Sequence, residues 1–434
     1  MSVSRRRMPQ SKDRSTDPGE IAITDPSSGP PNRLVVIIVV TGIVLVGLNL
    51  RPTVVSVPPI YSTITQSFPI GNGARGVMGS LPVFSFAVFG AVAPLVARRI
   101  GLVRSLILAM AAIGLGQLGR AYLSDSALVF GLLSVVSLGG IGLGNVLAPQ
   151  VIRHYFPHRI SQLTSVYLVC TIIGASIPSL IAVSSASAIG WRSSLGVWGL
   201  FGLIAALPWL GMLREHVIST RSQSTKLQVW RSPTAWSVAT LLFVGASLTY
   251  TLIEWLPQLV KATDDVGRGT AGAMLSLFTL VVLPINLIVP RILARSRRPY
   301  VVVEIIAFCA VVGPLGLVLI PGQPWVWVVV AGAGSSIISV ALTLVNLRTR
   351  TEQGTGQLSG FAQGSAYLFA GIGPILVGYL HGATNGWVAP GLFLAALGLL
   401  GAAAGVIAVR PVSVEDELPP DPTPPASGAV NHTA

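Results

Sequence analysis

The stretch "LVVIIVVTGIVLVGLNL" (Leu34–Leu50) runs seventeen residues without a charged side chain, and the next residue is Arg51. Its continuation, "RPTVVSVPPIY" (Arg51–Tyr61), carries no further charge and three prolines, Pro52, Pro58 and Pro59. A helix crossing a bilayer needs about 20 mostly apolar residues, more when tilted. The opening run therefore reads as a membrane span, and eleven more follow it. The runs cover 34–62, 75–97, 104–123, 127–152, 161–187, 193–213, 234–260, 269–292, 300–320, 324–347, 357–381 and 388–409. They are too long and too continuously apolar for barrel strands, so lipid leaves only the helix for them. The expected fold class is an all-α membrane protein of twelve transmembrane helices.

Composition agrees. Charged residues make up 10% of the 434-residue chain and hydrophobic ones 52%. A soluble domain carries about 25% charged residues, so this chain cannot clothe a water-facing surface. Its net charge of +13 suggests nucleic acid only until the charges are placed. Arg75, Arg192, Lys261 and Arg268 fall in connections on one side of the membrane, and Arg51 and Arg120 lie at or within spans. All other basic residues fall in the tails or in connections on the side of the tails. Positive loops face the cytoplasm, so both termini are expected there, in a multi-pass protein of the cell inner (plasma) membrane. No nucleic-acid partner is implied. Cys170 and Cys309 sit in apolar runs and offer no disulfide framework. The sequence holds no phosphate-binding glycine loop and no metal-binding histidine pair, so neither cofactor nor metal is expected.

Three landmarks recur at one interval. Pro94 before "LVARRIGLVR" matches Pro290 before "RILARSRRPY", Pro178 matches Pro374, and Gly190-Trp191 matches Gly386-Trp387, each 196 residues apart. They divide the chain into a polar tail (1–33), a six-helix half (34–213), a cytoplasmic link (214–233), a second half (234–410) and an acidic, proline-rich tail (411–434). Both tails read as disordered by composition. Two parallel halves of this kind are a transporter architecture, with substrate near the midplane between them.

Over 34–410 the chain resembles the major facilitator superfamily, and within it the cyanate permease/nitroimidazole transporter branch. The residues that carry the resemblance are "LNLRPTVVSVPPI" in the first span, "GSLPVFSFAVFGAVAPLVARRIG" across the second and "EWLPQLV" closing the seventh. The resemblance implies two pseudo-symmetric six-helix bundles, a monomer, and alternating-access transport of a small polar or anionic solute. That solute would be cyanate-like, a small organic anion or nitroimidazole-like. It also implies a cytoplasmic gate loop at Arg98, Arg99, Gly101 and Arg104. There the superfamily usually has an acidic residue, and this chain offers Arg98.

The candidate site follows from charges and amides at depth. An intramembrane charge is costly and marks a functional position. Arg51, beside prolines that free backbone carbonyls, suits a carboxylate-like anion through its planar fork. Glu254 is the opposite charge, and the sequence reading pairs it with Arg51 as a proton-coupling or gate element. Tyr250, four residues earlier, shares its helix face. Asn49, Asn145, Gln363 and Tyr367 are the further polar candidates for substrate binding. His154 and His158 fall in a loop, so no histidine relay is expected.

These features favour a secondary active transporter, symporter or antiporter, with the direction of transport and the use of protons left open. Multidrug efflux is the rival transporter reading, disfavoured by an arginine in the path. A membrane-embedded lipid-modifying enzyme would need a clustered catalytic set, and none is seen, so no enzyme activity is expected.

Overall fold

The computed structural model describes residues 33–213, 228–296 and 298–418. The expected N-terminal tail, most of the link at 214–233 and the last part of the C-terminal tail lie outside the described residues. Among the described residues twelve helical segments are long and apolar enough to cross a membrane, numbered here as spans 1 to 12. They are Arg33–Ile64, Asn72–Ile100, Leu102–Tyr122, Ala127–Tyr155, Ile160–Ile189 and Trp191–Leu210, then Pro233–Asp264, Arg268–Arg295, Pro299–Leu319, Pro324–Leu347, Gln353–Thr384 and Val388–Ala408. Among the described residues there is no strand. An even number of passes puts Arg33 and Ala408 on one face, called here the terminal face; the other is the distal face.

The spans pack as two six-helix bundles. In the first, span 3 lies against spans 4 and 6, span 2 against span 4, and span 1 against spans 5 and 6. In the second, span 9 lies against spans 10 and 12, and span 7 against spans 11 and 12. The bundles meet through span 2 on span 11 and span 5 on span 8. Moving each helix six spans along exchanges these two contacts, which is the pseudo-two-fold relation that the 196-residue interval implies. The landmarks fall where that relation requires. Pro94 and Pro290 lie toward the ends of spans 2 and 8. Gly190, at φ 81°, turns span 5 into span 6, and Asn385, at φ 49°, does so between spans 11 and 12.

Span 1 is broken. It runs as a helix over Arg33–Asn49, resumes over Pro52–Val55, tightens to a 3₁₀ turn at Pro58–Ile60 and ends with Tyr61–Ile64. Proline has no N–H to donate. Pro52, Pro58 and Pro59 therefore leave the carbonyls of Leu48, Val54 and Val55 without their helical donors. In the same break, Arg120 Nη2 of span 3 donates to the carbonyl of Thr53 at 2.7 Å. Span 7 is the opposite case, one helix of 32 residues.

The acidic segment after span 12 corrects the expectation of disorder from 411 onward. Val414–Glu417 form a short helix docked on the terminal face. Composition alone misjudges it because each carboxylate has a specific partner. Glu415 accepts from the backbone N–H groups of Arg350 and Thr351 at 3.0 and 3.3 Å. Asp416 pairs with Arg350 at 2.8 Å. Glu417 accepts from Thr234 N at 3.1 Å and from the hydroxyls of Thr234 and Ser232. Unpaired N–H groups and the positive dipole end make the starts of spans 7 and 11 natural seats for carboxylates.

Candidate functional site between the bundles

Arg51 occupies the gap between the first two pieces of span 1, just before Pro52, and is half-buried. Its Nη1 donates across the bundle interface to the hydroxyl of Tyr250 on span 7 at 2.7 Å. Tyr167 of span 5 and Tyr367 of span 11 lie within electrostatic range of the guanidinium. Phe86 of span 2 packs edge-on against the rings of both Tyr250 and Tyr367, at 5.8 and 6.4 Å between centroids. Among the described residues Arg51 has no carboxylate partner. Bonded to this one hydroxyl, the guanidinium has most of its five donors uncommitted among the described residues.

Glu254 does not meet Arg51. Its carboxylate accepts from Arg75 Nε of span 2 at 3.1 Å, and Arg75 Nη2 also donates to the Glu254 carbonyl at 3.2 Å. Arg75 Nη1 donates to Gln258 Oε1, one turn further along span 7. The guanidinium is sandwiched by aromatic faces, 4.4 Å from the Tyr61 ring centroid and 4.7 Å from that of Trp255. The expected pairing fails because a nearer cation takes the acid. Spans 1 and 7 match end to end, Arg33–Ile64 against Pro233–Asp264, so Tyr250 corresponds to Leu50 and lies level with Arg51, while Glu254 lies one turn further along span 7. Arg51 reaches Tyr250, and the acid reaches Arg75 at the start of span 2.

The Arg75–Glu254 pair bolts the bundles together near the distal face. Both side chains are nearly buried. Removing one partner of such a pair typically costs about 3–5 kcal/mol, because the other charge is stranded. Gly79 of span 2 makes the approach possible, since a Cβ there would collide with Glu254 Cγ. One turn deeper, Ser80 Oγ donates to the carbonyl of Gly371, where span 11 is interrupted. In front of the bolt lies a cavity of about 320 Å³ whose lining includes Pro58, Ser62, Arg75, Gln258, Lys261 and Arg268. With Arg75 paired to Glu254, Lys261 and Arg268 are the cations that give this wall its positive charge.

Arg120, the charge within span 3, is 3% exposed. It holds the Thr53 carbonyl and lies 5.5 Å from the Phe130 ring centroid, while its Nε has no partner. With Tyr61, Gly79, Tyr250 and Glu254 it lines a cavity of about 30 Å³, enough for a water or two. Its signal in the sequence was the charge alone, near the end of span 3. Arg75 and Gln258 gave weaker signals still, because polar residues at span ends are ordinary.

The other candidates divide. Tyr367 stands with Arg51. Gln363, one turn from Tyr367, donates to Ser359 Oγ of its own helix at 2.8 Å, and Asn145 is half-buried on span 4. Asn49 is not in the cleft: its amide nitrogen donates to the carbonyls of Leu45 and Phe201 at 3.0 and 3.3 Å, tying span 1 to span 6. Its position two residues before Arg51 turns it to another side of the helix, into the packing of its own bundle. On the terminal face Gly101, at φ 88°, makes the one-residue turn between spans 2 and 3. Arg98, Arg99 and Arg104 around it are exposed.

Comparison with known proteins agrees with this architecture. The Major Facilitator Superfamily model matches residues 39–357. An uncharacterized transporter of Bacillus subtilis (strain 168), YycB, is 35% identical over 373 residues, covering 84% of this chain and 92% of its own. The 2-nitroimidazole transporter of Escherichia coli (strain K12) is 32% identical, covering 86% and 96%. The cyanate transport protein CynX of the same organism is 26% identical, covering 80% and 90%. Among solved structures, a bacterial homolog of the human lysosomal transporter Spinster superposes with a TM-score of 0.68 at 17% identity, over 90% of this chain and 94% of that one. The chain belongs to the major facilitator superfamily, as a transporter of the branch that includes the cyanate and 2-nitroimidazole proteins.

Proposed function

We propose that this transporter moves a small anionic or strongly polar solute by alternating access, with Arg51 as the group that grips it. The observation that carries the reading is a guanidinium set in a broken span, bonded to a neutral tyrosine and free of any carboxylate among the described residues. A discontinuous helix near the junction of two repeats is where such transporters place their substrate. Tyr250 supplies a hydroxyl at the fork, Tyr167 and Tyr367 lie within electrostatic range of it, and Phe86 supplies an apolar wall. Cyanate, a small carboxylate or the nitro group of a nitroimidazole each presents acceptors that such a fork can take.

Glu254 serves as the coupling acid. Its bond to Arg75 joins the bundles at the distal face, so protonating the carboxylate weakens the joint and favours opening there. The water-sized cavity beside Glu254 gives a proton a place to arrive. With the basic connections in the cytoplasm the distal face is the outer one, both tails are cytoplasmic, and the protein works as a monomer in the plasma membrane.

Reconstituted protein supplied with labelled cyanate, small carboxylates and a 2-nitroimidazole, with and without a proton gradient, tests the reading. The expected result is gradient-stimulated movement of at least one of these, lost in Arg51→Ala at equal expression. Transport unaffected by that substitution would reject the role of Arg51. Indifference of both rate and pH profile to Glu254→Gln would reject the coupling.

A further inference from the structure

The bolt does not end at Gln258. Gln258 Nε2 faces His381 Nε2 of span 11 at 3.4 Å, and His381 Nδ1 faces the carbonyl of Gly386 at 3.2 Å. The imidazole is stacked on Trp387, 4.2 Å between centroids at 20°, and lies 6.3 Å from the Trp255 ring. These rings fix where its two nitrogens point. His381 is half-buried near the distal end of its helix.

Donor and acceptor rules allow one assignment for this chain. A guanidinium has only donors, so Gln258 must turn its Oε1 to Arg75. Its amide N–H then points at His381 Nε2, which must accept and therefore carries no proton. The proton of the neutral ring sits on Nδ1 and is donated to Gly386. The row Gly386–His381–Gln258–Arg75–Glu254 is thus satisfied from end to end, and only with His381 neutral.

We propose that His381 and Gln258 are positioning residues for the Arg75–Glu254 bolt, and that a proton arriving at His381 from the distal side loosens it. The inference rests on the reading of that bolt as the distal gate. A proton on Nε2 sets an N–H against the Gln258 N–H. If the amide stays, two donors oppose each other. If it flips to offer Oε1 to the imidazolium, its NH₂ faces Arg75, and Arg75 loses its neutral acceptor. Either outcome removes one arm of the clamp that aims Arg75 at Glu254. At the distal end the charged groups on the packed elements are Arg75 of span 2 and Glu254, Lys261 and Asp264 of span 7; span 12 is preceded by the Trp387 ring. The imidazolium also adds positive charge on the side of the latch cation, which acts in the same direction.

The test measures the gate and not the cargo. Spin labels at Ser62→Cys and Arg268→Cys, on opposite walls of the distal cavity, report the gap between bundles in a Cys170→Ala, Cys309→Ser background. With the other groups intact, the open population is expected to rise about five-fold as the pH is lowered from about 8 to about 5. His381→Gln, whose amide can still offer an acceptor, should reduce that rise to the part Glu254 contributes while leaving the protein closed at neutral pH. Gln258→Glu is the sharper variant. A carboxylate has only acceptors, so it can serve Arg75 and the imidazolium together, and acid should then tighten the gate and reverse the sign of the response. A merely structural Gln258 would not produce that reversal.

In a Glu254→Gln background a remaining His381-dependent rise supports the inference independently of the coupling acid. An unchanged rise in His381→Gln, or the same sign of response in Gln258→Glu, overturns it. If Glu254→Gln alone abolishes the rise, the coupling reading stands and this one falls. If no variant alters the distances, both fall.

Discussion

Spans 1 and 7 occupy equivalent places in the two bundles and solve opposite problems. Span 1 is cut into four pieces by three prolines and exposes a cation and freed carbonyls at depth. Span 7 is an unbroken helix that sets Tyr250, Glu254 and Gln258 at intervals of four residues along one face. Tyr250 takes Arg51, while Glu254 and Gln258 take Arg75. The first bundle contributes donors without acids, and the second contributes acceptors on a rigid mast. Pseudo-symmetry of the backbone thus carries an asymmetry of charge, and the asymmetry makes two bonds across the interface with different fates. One cation is neutralised at the joint. The other has no carboxylate partner among the described residues, as the proposed grip on cargo requires.

The largest expected effect lies on the unneutralised cation. Arg51→Ala should lower the transport rate by about 100-fold, the loss of a charge-assisted, two-point contact. Arg51→Lys should recover only a small part of it, because an ammonium cannot present the same fork. Uptake by reconstituted protein at matched expression measures both, and full activity of the lysine variant would show that charge alone suffices.

Next come the joint's own residues. Arg75→Ala strands the Glu254 carboxylate and should destabilise the closed distal face by about 3–5 kcal/mol. The double variant Arg75→Ala/Glu254→Gln should be milder than Arg75→Ala alone, because no buried charge remains without a partner. Thermal unfolding in detergent, together with the spin-label gap, measures this ordering; a double variant worse than the single would contradict the pairing. Gly79→Ala should act on the same joint from the other side. The new methyl displaces Glu254 Cγ, and overpacking of this kind costs about 1–3 kcal/mol. It should open the distal gap with no change at Arg51.

The smallest effect is expected far from the interface. Glu417→Ala removes a carboxylate cap at the start of span 7, worth about 1 kcal/mol. It should lower thermal stability slightly and leave transport unchanged. A transport defect there would mean that the mast's footing on the terminal face matters to the cycle.

Much of this was legible in the sequence. The spans could be counted because lipid demands unbroken apolar helices, and the prolines after Arg51 announced the break they produce. The halves could be paired because Pro94, Pro178 and Gly190 have partners at one interval. The partner of Glu254 was not legible. Nothing in a linear reading points to Arg75 at the start of another span. Gln258 and His381 were hidden for the same reason, being uncharged polar residues at helix ends whose meaning depends on what faces them. The docked helix at Val414–Glu417 was hidden by composition, which registers an acidic run but not the helix starts that receive it.

Equilibrium binding to the purified protein tests the central claim most directly, because it isolates the grip on the solute from every later step of the cycle. Titration of the solute found to be transported into wild-type and Arg51→Ala protein should show affinity falling by at least about ten-fold, with binding to Arg75→Ala much less affected. Equal affinity in the wild-type and Arg51→Ala proteins would contradict the account.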